Sequence, residues 1–288
     1  RYRHAVATGE SVSFEAYYPP VEEWFEISAY PSEEGLAVYY RSATSRKQAE
    51  QKLRNTLEEL ERSNRDLQDF AFVASHDLQE PLRKIQAFSD RLISRSEKLD
   101  DQEKDYLARM QSAANRMQTL IQDLLSYSRV TTRANALVSC NPNRILQEVL
   151  QDMETTISQE NAEIRIEPLP LLEGDASQIR QVFQNLLSNS VKFHQTGHPP
   201  EIFIYPDNAK KDSWTLVFSD RGIGFEQRYA DKLFHPFQRL HQRSQYQGTG
   251  IGMAIVKKIL DRHGAEVTVE SEPDKGTTFR IRFRRPTG

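Results

Sequence analysis

The segment FVASHDLQEPLRKI, residues 72–85, decides how the chain is read. It sets a histidine, His76, directly before an acid, Asp77, within the spacing of a long amphipathic helix. A proline, Pro81, follows five residues after the histidine. Outward from this segment, residues 46 to about 95 contain no glycine and a single proline. Core positions fall at Leu53, Leu57, Leu60, Asn64, Leu67, Ala71, Ala74, Leu78, Ile85, Phe88 and Leu92. The steps alternate four and three, with Pro81 in the slot between Leu78 and Ile85, which is a heptad seam. Asn64 on the seam is the kind of polar residue that fixes register and strand number. The seam predicts a parallel homodimer.

A second helix repeats the pattern at Tyr106, Met110, Ala113, Met117, Leu120, Leu124 and Tyr127. The segment between, about residues 96–103, is short and charged, so the two helices are expected to form an antiparallel hairpin. Two hairpins in a dimer would make a four-helix bundle. Before the first helix, SVSFEAYYP, EWFEISAYP and GLAVYYRSAT read as a meander of about three strands, too little to bury a core alone. The chain begins in strand-like sequence without Met, which suggests a fragment. After the hairpin, residues 131–143 read as a linker, and Asn141-Pro142 opens a new helix. The remainder mixes types. EIRIEPL, EIFIYP, SWTLVFSD, AEVTVES and GTTFRIRF read as strands. DASQIRQVFQNLLSNSVKFH reads as a helix opened by a capping box of Asp175 and Gln178. GIGMAIVKKILDRHG reads as a helix ending at Gly264. Together these indicate a two-layer α+β sandwich on an antiparallel or mixed sheet.

The 288 residues suffice for about two domains. A net charge of −3 offers no basic field for nucleic acid. The single cysteine, Cys140, excludes an internal disulfide and a cysteine-based zinc cage, and fits a reducing compartment. No apolar run of about 18 residues is present, so no membrane segment is expected here. His194 and His198 lie close in sequence without an evident third metal ligand.

His76 lies two residues from Ala74 and Leu78 and falls on the outer face of the rod. An isolated helical histidine is most often a plain surface residue. Here Asp77 can hold one ring nitrogen protonated and leave the other lone pair free, and Pro81 would bend the helix beside it. An oriented, exposed imidazole suits a covalent acceptor. Three clusters downstream suit a donor. Asn185, Asn189 and Lys192 share one helix face, which would otherwise be a solvated polar face; amide oxygens suit Mg²⁺ and the lysine suits phosphate. In SDRGIGF, Asp220 ends a strand, and Gly222 and Gly224 let a ligand approach the backbone, though the pattern alone is a turn. In GTGIGMAIV, Gly248, Gly250 and Gly252 precede a helix whose first amides suit an anion. Neither a dinucleotide fingerprint nor a P-loop is present.

In this order the motifs resemble the sensor histidine kinases of two-component signalling, over residues 45–285. HDLQEPLRK resembles the histidine box, in the form found in phytochrome-like kinases. NLLSNSVKF resembles the asparagine box, DRGIGF and GTGIGMAIV the two glycine boxes, LFHPFQRL the phenylalanine box and KGTTFRI the following strand. Residues 1–45 resemble the last strands of a PAS sensor domain, with Ser42–Thr44 in place of the usual exit motif. The resemblance implies five parts: the PAS remnant to residue 45, a coiled-coil signalling helix at 46–66, a dimerisation and phosphotransfer hairpin at 67–130, the linker, and an ATP-binding domain of the GHKL fold at 144–288. It implies that His76 accepts the γ-phosphoryl group of ATP and that Asp77 orients or deprotonates it. Asn189 and Asn185 would hold Mg²⁺, Lys192 would touch phosphate, and Asp220 would bond the adenine amino group. Gly222 and Gly224 would shape the pocket, with Gly248, Thr249, Gly250 and Gly252 by the phosphates. Residues 226–249 would form a lid anchored by Phe234 and Phe237. A response regulator would dock near Ala87, Phe88 and Arg91. A cytoplasmic location follows, with room for a membrane segment upstream. One departure is Glu80, where phosphatase-competent relatives carry Thr or Asn; it predicts weak phosphatase activity. The alternatives are another ATPase of the same nucleotide fold and a degenerate dimeric scaffold.

Overall fold

The computed structural model describes residues 1–32, 35–95, 100–132, 135–207, 212–240 and 248–285. Within these, the side chains of residues 61, 64, 65, 67–72, 74, 76, 95 and 132 lie outside the description. The seam positions Asn64, Leu67, Ala71 and Ala74, the His76 side chain and the polar loop 241–247 are therefore outside the described residues. The chain divides into two compact units, Arg1–Asp69 and Phe70–Gly288.

The first unit opens with helix α1 (Tyr2–Thr8), where the sequence reading expected strand. The segment YRHAVAT lacks strand alternation, and Gly9, at φ 70°, stops it in the left-handed conformation glycine favours. Strands β1 (Val12–Tyr18), β2 (Glu23–Ser32) and β3 (Gly35–Ser42) form the expected antiparallel meander, with Phe14, Ile27 and Tyr40 in register. Among the described residues of this unit, few apolar side chains are buried: Ala5, Ile27, Ala29 and Ala43. Helix α2 (Thr44–Arg95) grows from β3 through a clasp at its first turn. Trp24 N donates to Thr44 Oγ1 at 2.9 Å, and Glu15 pairs with both Lys47 and Arg46, whose hydrogen bonds lower its pKa.

In the second unit α2 continues unbroken through Pro81 and pairs with α3 (Asp101–Thr132). Gln86 bonds Asn115 and Gln118, and Gln111 bonds Asp90, which makes the hairpin antiparallel. Among the described residues its core is Leu82 against Ala114, Ile121 and Leu125. Ser75 and Ser89, one heptad either side of Leu82, are buried on the same stripe. This stripe is not the seam. Leu78, Ile85, Phe88 and Leu92 on α2, and Tyr106, Met110 and Met117 on α3, are exposed within the chain. Position 76 is in heptad register with Arg83 and Asp90, both exposed.

The remainder is a two-layer sandwich. Strand β4 (Val138–Cys140) pairs with β6 (Leu172–Gly174) at one edge. The main sheet contains β5 (Glu163–Ile166), β7 (Glu201–Asp207), β8 (Ser213–Asp220), β9 (Glu266–Glu272) and β10 (Gly276–Arg284). Its order is β5-β7-β8-β10-β9, with β5 and β7 parallel and the other pairs antiparallel. Helices α4 (Pro142–Asp152), α6 (Ala176–Lys192) and α8 (Gly252–Arg262) carry apolar faces onto it. The shorter α5 (Glu154–Gln159) and α7 (Ala230–Leu233) bridge between them. Trp214, Phe183, Phe218, Leu186 and Leu187, fully buried, fill the interior. Burying side chains of this size contributes roughly 1.5–3 kcal/mol each.

Asn141 caps α4 as expected, accepting from Asn143 N. The cap of α6 differs from the capping box read in the sequence. Asp175 accepts from Ser177 N, while Gln178 turns away and donates to Val130 O at 2.7 Å. Asp175 N instead donates to Nε2 of the buried His263 at 3.0 Å. The residues read as a free linker are tied down by the same network: Asp175 accepts from Asn135 N, and Arg262 donates to Asn135 O.

Candidate functional site

Helix α6 buries Val182, Phe183, Leu186 and Leu187 and turns the opposite face, Asn185, Ser188, Asn189 and Lys192, towards a cavity of about 310 Å³. Asn185 spends its amide N–H on Gln181 O at 2.9 Å, which leaves Oδ1 for the cavity side. A Cβ on Gly252 would lie 2.7 Å from that oxygen, so glycine starts α8 to make room for it. The Lys192 ammonium sits above the Phe193 ring, 4.4 Å from its centroid. Burial and the neighbouring charge of Arg239 lower its pKa.

Across the cavity, Asp220 ends β8. Its Oδ1 accepts from Gly222 N at 2.9 Å and Thr277 N at 3.1 Å, and its Oδ2 accepts from Ser190 Oγ at 2.9 Å. Burial raises its pKa, and the bonds from Gly222, Ser190 and Thr277 oppose that rise. Such a carboxylate is fixed in orientation and presents an acceptor to the interior. The sequence reading took Gly222 and Gly224 as room for a ligand. The structure gives a different reason: a Cβ at Gly224 (φ +55°) would fall 2.1 Å from Glu272 O, so the chain's own backbone needs the space.

The glycine loop closes the far end. Gly248, Thr249, Gly250 and Gly252 all line the cavity beside Lys192 and Arg239, and Arg239 donates to Gly248 O at 2.8 Å. A cationic end facing a helix start suits an anion, and the buried acceptor at the other end suits a donor on a flat base.

Of the residues predicted from sequence, Asn185, Asn189, Lys192, Asp220, Gly224, Gly248, Thr249, Gly250 and Gly252 thus line one cavity. Gly222 stands directly behind Asp220. Asp77 is exposed on α2, outside the lining. Phe234 packs against the interior, whereas Phe237 is 59% exposed. Sequence reasoning missed Ser190, Thr277, Arg239 and Asp123. Thr277 lies in KGTTFRI, Ser190 in NLLSNSVKF and Arg239 in LFHPFQRL, so membership of those motifs was the available signal; Asp123 carries none. His194 bonds Val191 O through Nδ1, and the described residues contain no cluster of three or more His, Cys, Asp or Glu able to hold a metal.

Residues 66–133 match the family described as the His Kinase A (phospho-acceptor) domain. Residues 174–287 match the family described as Histidine kinase-, DNA gyrase B-, and HSP90-like ATPase. Phytochrome-like protein Cph1 of Synechocystis sp. is 37% identical over 265 residues, covering 89% of this chain and 35% of that protein. Cyanobacterial phytochrome A of Nostoc sp. is 39% identical over 222 residues, 77% of this chain and 29% of that protein. The chain thus spans about a third of the length of these relatives. Among solved structures, full-length ShkA in complex with AMPPNP shares the fold at a TM-score of 0.58 and 22% identity, over 76% of this chain and 47% of that one. Histidine kinase ThkA in complex with the response regulator protein TrrA does so at 0.51 and 22%, over 99% of this chain and 81% of that one.

Proposed function

This chain belongs to the sensor histidine kinases, and from that premise we propose that it transfers the γ-phosphoryl group of ATP to His76 and onward to an aspartate of a response regulator. The observation that carries the reading is the convergence of the α6 asparagine face, Asp220 and the glycine loop on one cavity. Asp220 receives the adenine amino group. The glycine loop and Lys192 hold the phosphates. Asn185 and Asn189 present hard amide oxygens that fit Mg²⁺, which when bound neutralises charge on the β- and γ-phosphates.

The imidazole lone pair of His76 attacks the γ-phosphorus; the N–P bond forms as the P–O bond to ADP breaks. Asp77, adjacent, orients the ring and takes the ring proton. A second transfer moves the phosphoryl group to a regulator carboxylate, where Ala87, Phe88 and Arg91 are the expected docking contacts. The solved complex of ThkA with a response regulator supports such a partner. Exposure of Leu78, Ile85, Phe88 and Leu92 on one stripe supports a homodimer, with α2 as the coiled coil and the hairpins as a four-helix bundle. The β1–β3 meander clasped to the start of α2 supports a PAS remnant that passes a signal into that rod. No described helix is long and apolar enough to cross a membrane. We place the kinase chemistry in the cytoplasm, where ATP is found. Glu80, paired with Lys84 at 2.7 Å, offers no neutral group to position a hydrolytic water, so phosphatase activity is weak. A stand-alone ATPase of the same fold would not need the phospho-acceptor hairpin matched at residues 66–133.

The test is incubation with γ-labelled ATP and Mg²⁺. Acid-labile, base-stable label on the parent, lost in both His76→Gln and Asn189→Ala, supports the reading. Label that persists in His76→Gln refutes it.

A further inference from the structure

The cavity has one wall from the hairpin. Asp123 of α3 lines it, and its carboxylate accepts a hydrogen bond from Thr249 Oγ1. Thr249 Oγ1 also accepts from Ile251 N at 3.3 Å, so this side chain links the approach to α8 with α3. Asp123, Tyr127 and Val130, spaced four and three, share one face of α3. Each grips the sandwich. Lys258 Nζ donates to Tyr127 O at 2.9 Å and sits 4.3 Å from the centroid of the Tyr127 ring. Gln178 Nε2 donates to Val130 O, and the Val130 side chain is buried in the sandwich interior. The opposite side of α3, Ile121 and Leu125, packs on α2. Helix α3 is therefore clamped between α2, which carries His76, and the walls of the nucleotide cavity.

We propose that docked α3 is an autoinhibitory latch: it sets the Asp123 carboxylate against the glycine loop, where the polyphosphate of ATP would lie, and the nucleotide must displace it. This rests on the reading of the cavity as an ATP site. Like charges in a partly enclosed space repel strongly. Thr249 cannot both donate to Asp123 and donate to a phosphate oxygen, since it has one hydroxyl hydrogen. Nucleotide occupancy and α3 docking thus oppose one another, and the opposition is reciprocal. A motion of the hairpin that draws α3 away raises nucleotide affinity, and bound ATP frees the hairpin to present its histidine. The signal entering through α2 consequently has a place to act beyond the histidine itself.

The experiment measures MgATP affinity of the whole chain by calorimetric titration, for the parent, Asp123→Ala and Lys258→Met. Asp123→Ala removes the carboxylate from the cavity and is expected to bind about tenfold more tightly. Lys258→Met keeps the apolar stem, loosens the same docked face and touches no cavity atom; it is expected to tighten binding in the same direction by a few-fold. Unchanged or weaker affinity in Asp123→Ala overturns the latch. A gain in Asp123→Ala with none in Lys258→Met confines the effect to local charge and also overturns it. A parent that binds no MgATP sinks the ATP-site reading itself, a result distinct from a parent that binds while the variants fail to gain.

Discussion

Replacing Asp220 by asparagine separates recognition of the base from the integrity of the fold. The carboxylate holds three donors: Ser190 Oγ, Gly222 N and Thr277 N. An asparagine in the same rotamer keeps its oxygen on Gly222 and Thr277, and the Ser190 hydroxyl can turn to accept from the new amide. Burial already disfavours the charge, as the raised pKa shows. The fold should therefore lose no more than about 1 kcal/mol. The nucleotide loses far more. Where the adenine amino group met a charged acceptor, it now meets a second donor. Losing a hydrogen bond to a charged group costs about 1.5–3 kcal/mol, and an unpaired buried donor costs about 1–3 kcal/mol more. Taken together the loss is about 3 kcal/mol or greater, at least a hundredfold in Kd. Titration calorimetry with MgADP, beside a thermal melt, reads both quantities. Affinity within about threefold of the parent, with the melt unchanged, would refute the assignment of Asp220. A melt lowered by more than about 10 °C would instead make the carboxylate a structural group.

Other consequences follow from the same packing. Ile85→Asp charges an exposed seam position that has no role in the hairpin core, so sedimentation should show monomers with unchanged helicity; a persistent dimer would contradict the seam. Gly276→Ala sets a Cβ 1.9 Å from Asp220 O at a φ of +101°, and should cost about 3 kcal/mol in denaturant unfolding while abolishing nucleotide binding. Asp175 is held down to about 2: burial raises its pKa, but the bonds from Ser177 and Asn135 more than offset that. Its folded pKa is depressed, so its contribution is present above the ordinary carboxylate value near 3.9 and disappears as pH falls through about 2. The unfolding free energy measured from pH 5 to pH 2.5 should fall in the parent by about 2 kcal/mol more than in Asp175→Asn; parallel curves would contradict it.

Periodicity made much of this molecule readable. The seven-residue spacing of Leu78, Ile85 and Leu92 encodes a face directly, and so do the apolar steps under Asn185 and Asn189. The stripe that joins the hairpin was hidden because Ser75 and Ser89 are small and polar, although both are buried. Helix α1 was hidden too, since seven residues carry too few turns to show a period. The glycines of the site were legible as special positions, but their cause was not: the Glu272 carbonyl that crowds Gly224 arrives only when β9 folds back beside β10. Asp123 was the least visible of all. Its neighbour Thr249 is 126 residues away, and one acid among many on a charged helix has no local mark. Gln178 shows the opposite hazard, a correct local motif overridden when Val130 O offered a better partner.

The account stands on one chemical event, so locating the phosphoryl group tests it most directly. The chain contains seven histidines. After brief incubation with MgATP, peptide mapping under alkaline conditions by mass spectrometry should find phosphate on the imidazole of His76. Phosphate on another histidine, or on a hydroxyl side chain with His76 unmodified, would contradict the account.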